Sequence, residues 1–554
     1  MTSLLSSRPL NYGTSGFRSK ADEQLQLIVY RAAFYAAIRA KKLGKAVGIM
    51  ITASHNPACD NGLKLVDPSG KMLAMECEKE LTKIANGTEQ EFGIFRDEMI
   101  QLIKNNEEKD NIIPMIVIAT DTRPSSSTLY EEAVKGIKLL GTNVEIKYFE
   151  HHTTPQLHYI VRAINNHQPI DDYIQQFCKA LKKSHKFCDN KFKSSPLFLD
   201  CANGVGALWI EKYLENNGFV CKKDCDKKEI DNLNEDIILV NLFNTNTNEG
   251  ELLNNGCGAD FVKINTHLPA NFPSDLANGT RCASFDGDAD RLIYFYPNIE
   301  GGKNNISLLD GDHICALFAK FVNEQLNEAK SLGQSISLTF GVVQTAYANG
   351  NSTRYFTNKL NIKPLLTKTG TKYLEEAAQK FDIGIYFEAN GHGTAYFSDK
   401  FHKLIKEFNE EKEKPPRYIQ LLALFSQLVN EVDGDAIADL MTVEFLLRYF
   451  QWSIQDWEKN TYNNSPSFQI KVPVPNRNFF VTPEDNETQL LEPIGMQQKI
   501  NECVERFSSA RAFIRPSGTE QIVRIYSEAD SIENAKQLAN ELEKLVKEET
   551  LKSE

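Results

Sequence analysis

Residues 196–218 read PLFLDCANGVGALWIEKYLENNG. A short β-rich run, PLFLD, enters a polar, glycine-containing turn, LDCANGVG. A helical stretch, ALWIEKYLENNG, follows, with glycine placed to stop it. Strand, loop and helix in that order are the grammar of an α/β fold. The same grammar extends outward. AVGIMI (46–51) and MIVIAT (115–120) are further β-rich runs that lead into polar turns. Residues 24–43 keep Leu27, Ile28, Tyr35, Ile38 and several alanines at helical spacing, with Gly44 placed to end the helix.

Near residue 281 the pattern changes. RCASF (281–285) and LIYFYP (292–297) are separated only by DGDADR. That linker is too short for a crossover helix, so the two runs are predicted to form an antiparallel hairpin. The final helix is expected to begin at Asp530, paired with Glu533 in a capping box, with Ala535, Leu538, Leu542 and Leu545 on one face. The charged stretches 222–236 and 403–416 read as solvated surface or inserted loops. No internal sequence repeat is visible.

A chain of 554 residues is long enough for several domains. Hydrophobic residues at 41% and charged residues at 25% give an ordinary globular balance. The formal charge of −12 argues against a nucleic-acid partner and requires any anionic substrate to meet a local cluster of Arg and Lys. The N-terminus lacks the pattern of a signal peptide, no run approaches a membrane span, and the 11 cysteines are scattered. These features predict a cytoplasmic protein with free thiols.

Four loops carry chemistry. In DGDADR, Asp286, Asp288 and Asp290 alternate, which in an extended loop places three carboxylates on one side. Such a group calls for a hard divalent cation with oxygen ligands, and leaves coordination positions open for a phosphate oxygen. An EF-hand is excluded, because its glycine and glutamate positions hold Arg291 and Pro297. In RPSGTE (515–520), a turn through Pro516 and Gly518 gathers backbone N–H groups. Ser517 and Thr519 add hydroxyls, and Arg515 and Arg524 add guanidinium forks, making a cup for a phosphate dianion. In FEANGHGT (387–394), Glu388, Asn390 and His392 alternate around Gly391, a set suited to sugar hydroxyls.

The fourth loop is TASHNP (52–57), followed by NGLK (61–64). Ser54 precedes His55, but neighbouring side chains of an extended strand point to opposite faces, so His55 is a poor base for Ser54. Alone, the serine reads as a turn residue. Beside a metal loop, a phosphate cup and a sugar-facing loop, it is the group best placed to give and take phosphoryl.

Taken in order, YGTSGFR (12–18), TASHNP, DGDADR, FEANGHG and RPSGTE resemble the α-D-phosphohexomutases, and among them the eukaryotic phosphoacetylglucosamine mutases. DTRPSS (121–126), TTPQLHY (153–159), LDCANGVG (199–206), GVVQTAYANG (341–350) and VDGDAIAD (432–439) extend the resemblance over nearly the whole chain. It implies three related mixed α/β domains and a C-terminal α+β domain around a central cleft, expected at residues 1–190, 191–306, 307–450 and 451–554.

It further implies an isomerase interconverting N-acetylglucosamine 6-phosphate and 1-phosphate, feeding UDP-N-acetylglucosamine synthesis through phospho-Ser54 and a sugar 1,6-bisphosphate. One Mg²⁺ would be held by Ser54, Asp286, Asp288 and Asp290. Arg18, Lys64 and His392 would assist catalysis, with Lys64 and His392 as proton carriers. Arg291, Glu388, Asn390, Gly391, His392, Arg515, Ser517, Gly518, Thr519 and Arg524 would bind substrate. Where glucose and mannose mutases of the family carry serine, Asn390 favours a 2-acetamido sugar. A phosphoglucomutase, a phosphomannomutase or a phosphatase are the alternatives. The implied partner is a small-molecule sugar phosphate, with no membrane and no oligomeric state read.

Overall fold

The computed structural model describes residues 9–13, 16–107, 113–141, 143–170, 172–188, 195–214, 219–223, 238–298, 306–334, 336–411, 414–483, 486–517 and 521–552. The chain forms two compact units. One comprises Met1–Asp310 with Ala423–Ile454, the other Gly311–Leu422 with Gln455–Glu554.

The first unit holds two sheets. One contains β1 (Phe17–Lys20), β2 (Val47–Ile51), β3 (Asp60–Val66), β4 (Met115–Thr120) and β5 (Glu145–His151), in the order β1-β3-β2-β4-β5. The other contains β6 (Leu197–Asp200), β7 (Phe219–Lys223), β8 (Ile238–Phe243), β9 (Cys282–Phe285), β10 (Leu292–Pro297) and β11 (Ile306–Leu309), in the order β11-β10-β9-β6-β8-β7. The second unit holds β12 (Phe340–Thr345), β13 (Leu365–Thr367), β14 (Ile383–Phe387) and β15 (Gly393–Phe397), in the order β13-β12-β14-β15. Its other sheet is antiparallel: β16 (Ser467–Pro473), β18 (Ile522–Glu528) and β17 (Arg511–Pro516).

Three of these sheets share one plan that no sequence repeat revealed. Parallel strands build the body, and the last of them, β2, β9 or β14, pairs with an antiparallel neighbour, β3, β10 or β15. The serine loop joins β2 to β3, the aspartate loop joins β9 to β10, and the FEANGHGT loop joins β14 to β15. Each therefore leaves the carboxyl end of a parallel strand, the usual edge for ligands in such sheets. The predicted hairpin of RCASF and LIYFYP is this β9–β10 pair.

Helix Glu23–Leu43 forms as its sequence dictates. The Asp22 carboxylate accepts from the Gln24 and Leu25 N–H groups, and Gly44 ends the helix at φ 62°. Its buried face, including Leu25, Ile28, Val29 and Phe34, joins the core of the first sheet. It crosses helix Ser126–Lys138 so closely that a Cβ on Gly136 would lie 1.9 Å from the Tyr30 carbonyl oxygen.

Some expectations need correction. The final helix runs Ile532–Lys552, and its cap is Ser531, whose hydroxyl accepts from the Asn534 N–H at 3.2 Å. Asp530 instead accepts from the Asn534 side chain, so no Asp530–Glu533 box forms. Most of the charged stretch 403–416 is helical, within Asp399–Glu411, although Lys403 and Lys406 are solvated as expected. Its i,i+4 Lys–Glu pairs let a polar segment stay helical. Residues 215–218 and 224–236 lie outside the described residues, so the glycine stop and most of the 222–236 stretch do too. Cys59, Cys77, Cys178, Cys188, Cys201, Cys257, Cys282, Cys315 and Cys503 are free thiols. No helix among the described residues is long and apolar enough to cross a membrane.

Candidate active site

The first unit assembles a buried ionic centre. Ser54 is fully buried and takes a left-handed conformation, φ 52°. The chain around it is thus a turn, not an extended strand, and the alternation argument against His55 does not apply. The exclusion of His55 has another basis. The Ser54 hydroxyl donates to Asp286 Oδ2 at 2.7 Å and lies 3.5 Å from Asp290 Oδ1. Burial, followed by the nearby Arg291 and Arg18, pulls the His55 imidazole down to about 2.

Asp286, Asp288 and Asp290 are all buried, and one oxygen of each lies within 4.8 Å of the others. They converge because the loop turns at Ala289, φ 55°, and not through extended alternation. Burial, then repulsion from Asp290 and Asp288, raises the Asp286 carboxyl well above the usual range. The loop is braced by its own backbone, as Asp286 Oδ1 accepts from the Asp290 and Arg291 N–H groups.

Cations surround this trio. Lys64 Nζ donates to Asp288 Oδ2 at 3.2 Å and Asp290 Oδ2 at 3.0 Å. Burial would lower its pKa, but Asp288 and Asp290 outweigh that and shift it upward. Arg291 Nε stands 3.8 Å from both Asp286 and Asp290. Arg18, on β1 opposite Gly62, is pulled below its ordinary pKa by burial and by Arg291. Asp288 Oδ1 and Arg18 Nε are both buried without a hydrogen-bond partner among the described residues. An orphan acceptor among three carboxylates fits a hard cation, and an orphan guanidinium donor beside Ser54's loop fits an anion.

Further residues hold the loops, and sequence reading had given them no role. Arg123 is 2% exposed and spends its whole fork on the serine loop. It donates to the carbonyls of Pro57, Asp60, Ser54 and Asn56 at 2.6–2.9 Å and pairs with buried Asp121. Asn254 Nδ2 also donates to the Ser54 and Asn56 carbonyls. Thr154, in the first turn of helix Thr154–Asn165, donates its hydroxyl to Asp288 Oδ2 at 2.6 Å. The Cβ of any residue replacing Gly204 would lie 2.5 Å from the Gly287 carbonyl oxygen, which is why the opening stretch carries glycine there. DTRPSS, TTPQLHY and LDCANGVG contain Arg123, Thr154 and Gly204, but their partners lie far away in sequence, and no motif contains Asn254.

The second unit carries the other predicted residues. Glu388 to His392 form a tight turn between β14 and β15, with the Glu388 N–H donating to the His392 carbonyl at 2.8 Å and Gly391 at φ 92°. Glu388 Oε2 accepts from Thr371 Oγ1 at 3.1 Å and Asn390 Nδ2 at 3.3 Å, and Asn390 Oδ1 accepts from the His392 N–H. The loop is thus pre-set by its own polar groups. His392 is 4% exposed.

On the antiparallel sheet, Arg515 faces Arg524 in register, and Arg524 faces Lys471 on β16. Three cations in one row on one face repel one another, and an anion relieves that repulsion. Lys471 was not predicted; the alternation of SFQIKVP is its only trace. Ser517 is buried, and its carbonyl accepts from Arg477 Nη1 at 2.8 Å. Gly518 and Thr519 lie outside the described residues.

Phosphoacetylglucosamine mutase AMG1 domain III matches residues 310–452, and domain II matches residues 170–293. Phosphoglucomutase/phosphomannomutase alpha/beta/alpha domain I matches residues 24–92, and the C-terminal domain of that family matches residues 470–545. The phosphoacetylglucosamine mutase of Candida albicans is 40% identical over 548 residues, covering 97% of this chain and 96% of its own. A crystal structure of Aspergillus fumigatus N-acetylphosphoglucosamine mutase with GlcNAc-6P and magnesium superposes with a TM-score of 0.85 at 38% identity, covering 99% of this chain and 97% of that one. A serine-to-alanine form of the Aspergillus protein, bound to glucose 1,6-bisphosphate, gives 0.82 at 36% identity, covering 98% and 96%.

Proposed function

The chain belongs to the phosphoacetylglucosamine mutase family of the phosphohexomutases, and from that premise we propose that it interconverts N-acetylglucosamine 6-phosphate and 1-phosphate with Ser54 as phosphoryl carrier. The observation that carries this reading is the placing of the Ser54 hydroxyl, 2.7 Å from Asp286 within a buried trio of carboxylates and ringed by Lys64, Arg18 and Arg291. A hydrolytic serine needs a base. A phosphoryl carrier needs positioning and charge neutralisation, and these groups supply both.

Asp286, Asp288, Asp290 and the phosphorylated Ser54 would hold the Mg²⁺. When bound there, the ion draws charge from a transferring phosphoryl group. Arg18 and Arg291 hold the phosphoryl oxygens. In the first half-reaction the bond from Ser54 Oγ to phosphorus breaks, a bond from phosphorus to the sugar O1 forms, and the proton that O1 loses ends on Ser54 Oγ. The resulting 1,6-bisphosphate reverses. The bond from phosphorus to O6 then breaks, Ser54 Oγ regains phosphoryl and gives up its proton to the carrier that protonates O6. Lys64, held protonated by Asp288 and Asp290, is set to donate that proton. His392 is the second candidate for proton transfer. The distal phosphate sits in the cup of Arg515, Ser517, Gly518, Thr519 and Arg524, and Glu388, Asn390, Gly391 and His392 meet the sugar. Asn390 keeps a second amide hydrogen for an acetamido carbonyl. The 1-phosphate product is the form that a nucleotidyl transfer would consume, here toward UDP-N-acetylglucosamine.

The test follows turnover of N-acetylglucosamine 6-phosphate and glucose 6-phosphate by phosphorus NMR, with Mg²⁺ and trace 1,6-bisphosphate. A preference for the acetamido sugar and loss of turnover in Ser54→Ala are expected. A preference for glucose 6-phosphate would move the substrate assignment, and release of free phosphate alone would make the protein a phosphatase.

A further inference from the structure

Arg515 is held in an unusual way. Its Nη1 donates to Glu487 Oε1 at 2.5 Å, and both side chains are 14% exposed. The other oxygen of Glu487 accepts from the Thr369 N–H at 3.0 Å and the Thr369 hydroxyl at 2.6 Å. The Tyr347 ring covers the guanidinium, its centroid 5.4 Å from the guanidinium carbon. Arg515 Nε is buried and has no hydrogen-bond partner among the described residues. A guanidinium pinned at Nη1 and along one face has one edge left, formed by Nε and Nη2. That edge is the one that grips two oxygens of a phosphate at once.

We propose that Glu487 is a positioning residue for phosphate binding, fixing Arg515 so that its Nε–Nη2 edge faces the phosphate. Thr369 prevents the carboxylate from swinging away, because both carboxylate oxygens are already engaged. A rival role for Glu487, as an internal anion that plugs the cup and competes with substrate, conflicts with its position on Nη1 and with its second oxygen being spent on Thr369.

The inference rests on Arg515 binding phosphate, so Arg515→Gln is measured beside Glu487→Gln. The readouts are KM and kcat for N-acetylglucosamine 6-phosphate and the inhibition constant of inorganic phosphate. Glutamine offers one acceptor where glutamate offers two, so it satisfies either Arg515 or Thr369 but not both. Glu487→Gln should raise KM and the phosphate inhibition constant together, by about tenfold, one lost charge-assisted hydrogen bond, and leave kcat within about threefold. In an Arg515→Gln background the Glu487 change should add almost nothing, since it acts through that arginine. Thr369→Ala, which keeps the backbone donor, should give a smaller rise in the same direction and serves if Glu487→Gln fails to fold. If Arg515→Gln raises KM but Glu487→Gln does not, the positioning role is wrong and the cup stands. If Arg515→Gln leaves KM unchanged, the cup itself is wrong. A fall in KM for Glu487→Gln would make Glu487 the competing plug and overturn the proposal.

Discussion

Arg123 shows how much one side chain can organise. Its five donors meet four carbonyls from Ser54 to Asp60 and the buried Asp121 carboxylate. Replacing it with methionine leaves Asp121 charged and buried and four carbonyls short of a donor. We expect Arg123→Met to cost about 3–5 kcal/mol, the range for breaking a buried ion pair from one side, read as a shift of the urea midpoint of the first unit. Little of this was legible beforehand. DTRPSS stands out as a motif, but its partners lie 63–69 residues away for the carbonyls of Asp60, Pro57, Asn56 and Ser54, and no spacing rule links them. Ser54 drew notice only in combination, because its immediate neighbours make it a turn residue and only the other three loops together call for a phosphoryl carrier.

At the scale of elements, strands and loops were read better than caps and turns. Runs such as MIVIAT and PLFLD became strands β4 and β6 because β-branched and apolar residues suit a buried pleated surface. The loops were expected to be extended and are turns, since Ser54, Ala289 and Gly391 adopt positive φ that side-chain alternation cannot signal. Asp382, just before β14, illustrates what fastens such elements. Its carboxylate accepts from the Thr339 N–H and hydroxyl, the Ser398 hydroxyl and Lys400, tying the start of β12 to the end of β15. Burial alone would raise its pKa, but these donors outweigh it and bring the group down to about 2. A depressed carboxylate contributes stability above its ordinary pKa of 3.8, lost as pH falls through 2. Asp382→Asn should therefore destabilise the second unit at neutral pH by about 1–2 kcal/mol, the worth of its charged hydrogen bonds. The gap from the unmodified protein should narrow between pH 4 and pH 2 in acid-unfolding curves. A gap constant over that range would deny Asp382 its charge.

For the whole molecule, the four loops singled out in the sequence divide between two compact units: the serine and aspartate loops belong to one, the FEANGHGT and RPSGTE stretches to the other. A ligand that binds one unit stabilises that unit by mass action, by about 2.7 kcal/mol at a hundredfold excess over its dissociation constant. Mg²⁺ should slow hydrogen exchange in residues 52–62, 121–125 and 286–291 and leave 383–397 unaffected. In Asp288→Asn, which removes one carboxylate of the trio, this protection should vanish. Protection that persists in the variant would place the ion elsewhere.

The sequence alone determined the α/β class, several strands and their helices, and the loops that carry serine, aspartates and arginines, because each of these is written in adjacent residues through periodicity, turn chemistry or charge. Only the tertiary structure decided that Ser54 bonds Asp286 across 232 positions, that Arg123 and Thr154 brace those loops, and that Lys471 and Glu487 complete the setting of Arg515. Contacts between distant segments follow from how sheets twist and pack, and a linear reading holds no period that encodes them.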